Sequence, residues 1–187
     1  MELNLSVKFD KDAKEGSAIT EKMIMTGHYG THCDIIDKSF PHEYMRRDAI
    51  VFDIGHIERR DVEISDIRAD LIKKDMFVAF HTGFIEKNKY GSVEYAGIHP
   101  QLSVQLISLL IESRVSLIGI DFPGVRFGPE HSVMDKLCAG SDVFIIESLC
   151  NLGKLLDGKS MARFTAETIP LGKEGLTGLP CKVVAII

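Results

Sequence analysis

The chain of 187 residues is 45% hydrophobic and 26% charged, with a net charge of -5. That length suits one domain spanning 1–187 with a sizeable core, and the balance excludes disorder, a collagen-like repeat and a disulfide-dense scaffold. The densest basic cluster, Arg46-Arg47, is too small to neutralise a phosphate backbone, and no apolar run nears the ~20 residues of a membrane span, so neither nucleic acid nor membrane is an expected partner.

In chain order, Leu3, Leu5, Val7 and Phe9 alternate with polar residues, the period of a strand with one buried face. Residues 10–16 are polar and turn-like, and 19–25 are of mixed character. Then comes His28-Tyr29-Gly30-Thr31-His32-Cys33-Asp34, two imidazoles and a carboxylate within one heptad. Gly27 and Gly30 make a regular helix improbable here, so His28 and His32 belong on a strand end or loop. In an extended segment Cys33 points away from His32 and Asp34.

Residues 49–54 read as a buried strand closed by Gly55, and 65–72 as a short helix capped by Ser65. Residues 76–80 form an apolar strand running into His81-Thr82-Gly83. Residues 100–114 give the clearest helix, with Pro at its first turn and Leu102, Leu106, Leu109 and Leu110 on one stripe. Strands follow at 115–120, ending at Asp121, and at 142–146, ending at Glu147. The stretch 162–180 is punctuated by Gly and Pro, and 181–187 closes the chain as an apolar strand. Many strands with few helices predict a mixed α/β layer or a barrel-like core rather than a doubly wound sheet.

Imidazole nitrogen and carboxylate oxygen are ligands for Zn²⁺ and also suit Mn²⁺ or Fe²⁺, and three such groups leave positions open for water or substrate. The heptad, with His131 and Glu147, is therefore a candidate metal site: His28, His32, Asp34, His131 and Glu147. Each residue taken singly is as readily a solvated or hydrogen-bonded side chain. Proximity within seven residues is what raises the metal reading, because little chain entropy opposes convergence. Cys33, Cys138, Cys150 and Cys181 form no C-x-x-C pair, so reduced thiols are expected. The polar start of the chain lacks a signal-peptide layout, which makes a cytoplasmic location the expectation.

His28-Tyr-Gly-Thr-His32-Cys-Asp34 resembles the H-x-G-T-H-x-D signature of the cyclase family of metal-dependent hydrolases, which includes bacterial kynurenine formamidases and isatin hydrolases. Further similarity follows in order. Phe80-His81-Thr82-Gly83-Phe84 resembles the family's R-T-G-W segment, and His99-Pro100 the opening of its long helix. The runs ending at Asp121 and around Glu147, and the closing Leu179-Pro-Cys-Lys-Val-Val-Ala185, are similar to the family's later strands. The resemblance implies a mixed-sheet, swivelling β/β/α fold and a homo-oligomer, dimer or tetramer. It implies that His28, His32 and Asp34 bind a divalent metal, Zn or Mn, and that His131 and Glu147 complete a second site or position water. The implied activity is hydrolysis of an amide, formamide or small cyclic amide, a small-molecule substrate, through a metal-activated water.

The signature continues in the family as x-P-x-H, where this chain has Ile36 and Lys38. Lys38 is thus a candidate catalytic residue in place of the usual histidine, with His131 and Glu147 as candidate proton relays and His42 as an alternative imidazole from a shifted loop. The same substitution supports an alternative, a metal- or ligand-binding cyclase-like protein with altered or lost catalysis. His81 stands where the family has Arg, and the chain has no Trp, so the pocket wall after Thr-Gly is Phe84. Tyr29, Phe40, Tyr44 and Phe127 are further candidates for an apolar pocket.

Overall fold

A computed structural model describes residues 1–7, 20–57, 60–172 and 175–187. The elements run β1 (Glu2–Asn4), α1 (Glu21–Thr26), β2 (His32–Asp34), β3 (Arg46–Asp53), β4 (Phe77–His81), α2 (Phe84–Lys87) and α3 (Val104–Glu112). They continue with β5 (Leu117–Ile120), α4 (His131–Gly140), β6 (Phe144–Glu147), α5 (Leu152–Leu156), β7 (Met161–Pro170) and β8 (Gly178–Ile186). The sheet order is β1-β8-β2-β6-β5-β4-β3-β7, and a further β8–β7 pairing closes seven of the strands into a mixed barrel. Strands β3 to β6 are mutually parallel, while β2, β7 and β8 pair antiparallel. The fold is mixed α/β, as the pattern of apolar runs predicts.

Alternation along each strand divides the core in two. Cys33, Val51, Phe77, Leu117, Ile146 and Val183 belong to one buried cluster, which fills the barrel. Their strand neighbours Ile50, Val78, Ile118 and Ile145 belong to the other, packed beneath Leu106, Ile107 and Leu110 of α3 and Cys138 of α4. A Cβ at Gly119 would lie 2.3 Å from the Phe77 ring, so this strand position has no side chain because the barrel has no room for one. By the same alternation His32, Asp34 and Glu147 face outward, toward α4.

Several expectations are corrected. Residues 65–72 are two single turns of 3-10 helix, Ile64–Asp66 and Ala69–Leu71, because Asp66 folds back to accept from Glu63 N–H at 2.7 Å and Ile67 is extended. Ser65 caps neither. The helix read over 100–114 begins at Val104, capped by Ser103, whose Oγ accepts from Leu106 N–H at 3.1 Å. Residues 101–103 are instead tied to Val62, whose N–H donates to Gln101 O and whose carbonyl accepts from Ser103 N–H. Within the Gly/Pro-punctuated stretch lies the ten-residue β7, and α1, α2, α4 and α5 are helices that the sequence pattern does not predict. Strand β1 is shorter than the alternation implied, with Ser6 bridging to Leu149; Phe9, residues 10–16 and Ile19 lie outside the described residues.

The parallel strands end at Asp53, His81, Ile120 followed by Asp121, and Glu147. Chemistry-bearing side chains therefore collect at one rim, where parallel α/β sheets commonly place their sites. Strand β2 enters the same rim antiparallel, with His32 opposite Glu147 and Asp34 opposite Ile145.

Candidate metal centre

His28 follows α1, which ends on Gly27 in the left-handed region at φ 86. A Cβ at Gly27 would meet Gly178 O at 1.9 Å, and one at Gly178 would meet the His28 ring at 2.8 Å. This pair of glycines lets the backbones touch and seats the imidazole. His28 Nε2 then lies 2.9 Å from Thr177 Oγ1, and its Nδ1 faces Asp34 Oδ1 at 3.0 Å. His32 Nδ1 is 3.0 Å from Gly30 O, which it serves as donor, so Nε2 turns toward the carboxylates. It lies 3.6 Å from Asp34 Oδ1 and 3.4 Å from Glu147 Oε2.

Helix α4 supplies the other side. His131 Nε2 is 3.3 Å from Glu147 Oε1 and 3.3 Å from Asp135 Oδ2, one turn along the same helix face. Gly124, at φ 99, leaves room for the ring: a Cβ there would stand 2.8 Å from His131 Cε1. The Thr31 hydroxyl, buried beneath, donates to Ser148 O at 2.7 Å and accepts from Val7 N–H at 3.0 Å, locking β2 to the turn after β6. The Tyr90 hydroxyl accepts from Gly30 N–H, and the Tyr95 hydroxyl donates to Ser148 Oγ.

Three carboxylates, Asp34, Asp135 and Glu147, are thus buried together among imidazoles. Burial alone would push the His32 imidazole down, but Glu147 and Asp34 override it and hold it up at about 9. Glu147 likewise lifts His131 to about 9, against the effect of burial. Burial and the neighbouring Asp34 push Asp135 up to about 8, and burial with the nearby Glu147 raises Asp34. Glu147 moves the other way, because His131 and His32 outweigh its desolvation. Without a metal, protons on His32 and His131 offset the buried carboxylates, and a cation would compete with those protons for the same atoms.

The fit to a metal ion rests on the atoms themselves. His32 Nε2, both oxygens of Asp34 and Glu147 Oε1 are buried yet make no aligned hydrogen bond among the described residues. Buried polar atoms left this way are costly unless something else binds them. Ligand atoms of His28, His32 and Asp34 lie within 4.8 Å of one another, as do those of Asp34, His131 and Glu147, so Asp34 is common to two triads. Nitrogen and oxygen donors of this kind fit a first-row divalent ion.

The model of the Cyclase family matches residues 3–126. The chain belongs to the cyclase family. Among solved structures, isatin hydrolase A from Labrenzia aggregata bound to benzyl benzoate is similar at TM-score 0.76 and 18% identity, covering 99% of this chain and 93% of that one. A potential metal-dependent hydrolase with cyclase activity gives TM-score 0.75 at 19% identity, over 99% and 96% of the two chains. An isatin hydrolase bound to the product analogue thioisatinate gives 0.71 at 16%, over 100% and 81%. No sequence match among curated proteins is found. At these identities the neighbours speak for the fold.

Of the candidate residues, this cyclase-family chain brings His28, His32, Asp34, His131 and Glu147 together. Lys38 is elsewhere. Its Nζ pairs with Asp142 Oδ1 at 3.2 Å, near the start of β6, whereas Glu147 ends that strand some five residues on, about 16 Å at the rise of a β-strand. His42 is exposed in the turn His42–Met45 at that far end, and Phe40 and Tyr44 pack there on Phe144. Phe84 and Phe127 do lie near the site, both against His99. Cys33 points into the barrel, away from the cluster. Asp135 was missed, although its spacing from His131 to Cys138 follows one helical face. Asp121 is spent on structure: its carboxylate accepts from Thr82 N–H, Thr82 Oγ1–H and Gly83 N–H. That occupation weakens the further triad His81, Glu86 and Asp121, whose Glu86 is exposed.

Proposed function

We propose that residues 1–187 form one metal-dependent hydrolase domain acting on an amide, formamide or small cyclic amide. The observation that carries this reading is the convergence of buried, unsatisfied His32, Asp34 and Glu147 atoms on one rim of the barrel. His28, His32 and Asp34 would hold a divalent cation, with Zn²⁺ or Mn²⁺ the ions of choice. Bound there, it would lower the pKa of a coordinated water from 15.7 toward about 7 and polarise the scissile carbonyl. Asp34, His131 and Glu147 either hold a second cation or act as a carboxylate–imidazole relay that keeps a proton at His131 Nε2.

A cavity of about 470 Å³ is lined by Thr82, Phe84 and His99 together with the charged Arg60, Asp61 and Lys87, and the loop on which His99 stacks also seats His131 of the cluster. That size suits a small-molecule substrate. The same reading carries a homo-oligomer, a dimer or tetramer. The free thiols of Cys33, Cys138, Cys150 and Cys181 fit a cytoplasmic location. Among the described residues no helix is long and apolar enough to cross a membrane. Lys38 has no part in this reading, and its distance from the cluster is what favours the alternative, a binding protein with altered or lost turnover.

The test is to purify the protein without chelator, measure bound Zn and Mn, and assay isatin and a formylated aryl amide. Stoichiometric metal and hydrolysis of either compound are expected. Absence of metal both as purified and after addition overturns the reading; metal without turnover of either compound supports the alternative.

A further inference from the structure

Among the described residues, His99 is an imidazole near the cluster that is not spent on a carboxylate. It is buried, with an exposure of 6%, inside an aromatic cage: stacked on Phe122 at 5.7 Å, with the edges of Phe127 at 5.5 Å and Phe84 at 6.3 Å. Its Nδ1–H donates to Pro100 O at 2.8 Å, which fixes the tautomer and leaves Nε2 as an acceptor with no partner among the described residues. Burial pushes this imidazole below its ordinary range, so it stays neutral at pH 7. His28, His32 and His131, by contrast, all face Asp34 or Glu147.

The ring lines the cavity, and the loop on which it stacks is the one that also seats His131 of the cluster. One loop fixes the arrangement. Phe122 stacks on His99, while Gly124 two residues later receives the His131 ring. Leu102 N–H donates to Val125 O at 3.0 Å, and Phe127 N–H to Gln101 Oε1 at 2.8 Å, so the segment after His99 cannot drift from that loop. A neutral imidazole with one nitrogen tied down and the other free, lining the cavity and stacked on the loop that seats His131, is placed to carry protons.

We propose that His99 is a catalytic residue of this site, the acid–base group that neither Lys38 nor His42 can supply from the far end of the barrel. The proposal rests on the hydrolase reading and assigns a step within it. As the oxygen of the attacking water bonds to the substrate carbonyl carbon, its proton passes to His99 Nε2. As the C–N bond breaks, the same proton passes from Nε2 to the departing nitrogen, and the ring returns to its neutral tautomer. No oxidant or further reactant is needed.

His99→Phe tests this, because phenylalanine keeps the packing on Phe84, Phe122 and Phe127 while removing both nitrogens. With the metal-loaded protein and isatin or a formylated aryl amide as probe, kcat is expected to fall about 10²–10⁴-fold, with KM, melting temperature and metal stoichiometry little changed. Independently of turnover, ¹⁵N NMR of the wild-type imidazoles should show His99 protonated at Nδ1 only, with its Nε2 resonance shifting when thioisatinate is added. Normal metal uptake with His99→Phe turning over like the wild type, or a His99 Nε2 resonance unmoved by thioisatinate, overturns the assignment and leaves the hydrolase reading standing. Failure of the wild type to take up Zn²⁺ or Mn²⁺ overturns that reading itself, and the assignment with it.

Discussion

At the scale of single residues, the cluster behaves as a competition between protons and cations for the same atoms. His32 is held up at about 9 by Glu147 and Asp34 in spite of its burial, so near pH 7 the metal-free imidazole carries a proton on the nitrogen that faces the carboxylates. A ligand must be neutral, so an arriving cation has to displace that proton. Because the folded pKa lies above the unfolded one, the stability that protonated His32 lends the metal-free protein is present below 6.5 and is lost as pH rises through about 9. The same sign governs uptake: apparent Zn²⁺ affinity should rise about tenfold per pH unit per displaced proton, from about pH 6 to about pH 8. Competition titrations with a chromophoric chelator across that interval measure it, and affinity independent of pH would exclude His32 as a ligand. Asp34→Asn should abolish stoichiometric uptake altogether, since Asp34 serves both triads.

At the scale of elements, α3 illustrates how local chemistry sets a boundary that periodicity misplaces. The Leu stripe predicts a helix from Pro100, yet Leu102 is bridged to Val62 and helix geometry starts only where Ser103 caps it. Ser103→Ala should therefore cost about 1 kcal/mol, read as a lower midpoint in urea with an unchanged slope; no shift would mean that the bridge to Val62, not the cap, fixes this end. Buried parallel strands were legible because they are continuous apolar runs, and β3 to β6 lie where such runs predict them. Strand β7 was not, because its buried positions Phe164, Ala166 and Thr168 include a small and a polar residue, leaving alternation with no hydrophobic contrast. Helix α4 was hidden for a similar reason: part of its inward face is His131 and Asp135, which serve the site and read as surface. The metal-ligand candidates were visible from their spacing and family resemblance. The placement of Lys38 was not, since only the β2–β6 register shows that residues beyond Asp34 run away from Glu147.

At the scale of the whole molecule, the ligands tie together parts of the chain that the barrel brings side by side only when folded. His28 lies in a loop, His32 and Asp34 on β2, His131 on α4 and Glu147 on β6, so no two of these elements hold a site in the unfolded chain. A cation that binds the folded state alone must stabilise it, by about 2.7 kcal/mol when present at 100 times its Kd. For a domain of this size that corresponds to a rise in Tm of roughly 5–11 °C. Differential scanning fluorimetry of chelator-treated protein, with and without Zn²⁺ or Mn²⁺, should show it, and Asp34→Asn should not. The core layer beneath α3 makes a useful control. Leu106→Ala empties a fully buried position between α3 and the sheet and should cost about 2–5 kcal/mol, yet it leaves every ligand in place, so its Tm should fall while the metal-induced increment persists. A lost increment in Leu106→Ala would mean that the α3 layer, remote from the ligands, helps hold β2, α4 and β6 in binding register. An increment retained in Asp34→Asn would place the cation somewhere other than this cluster.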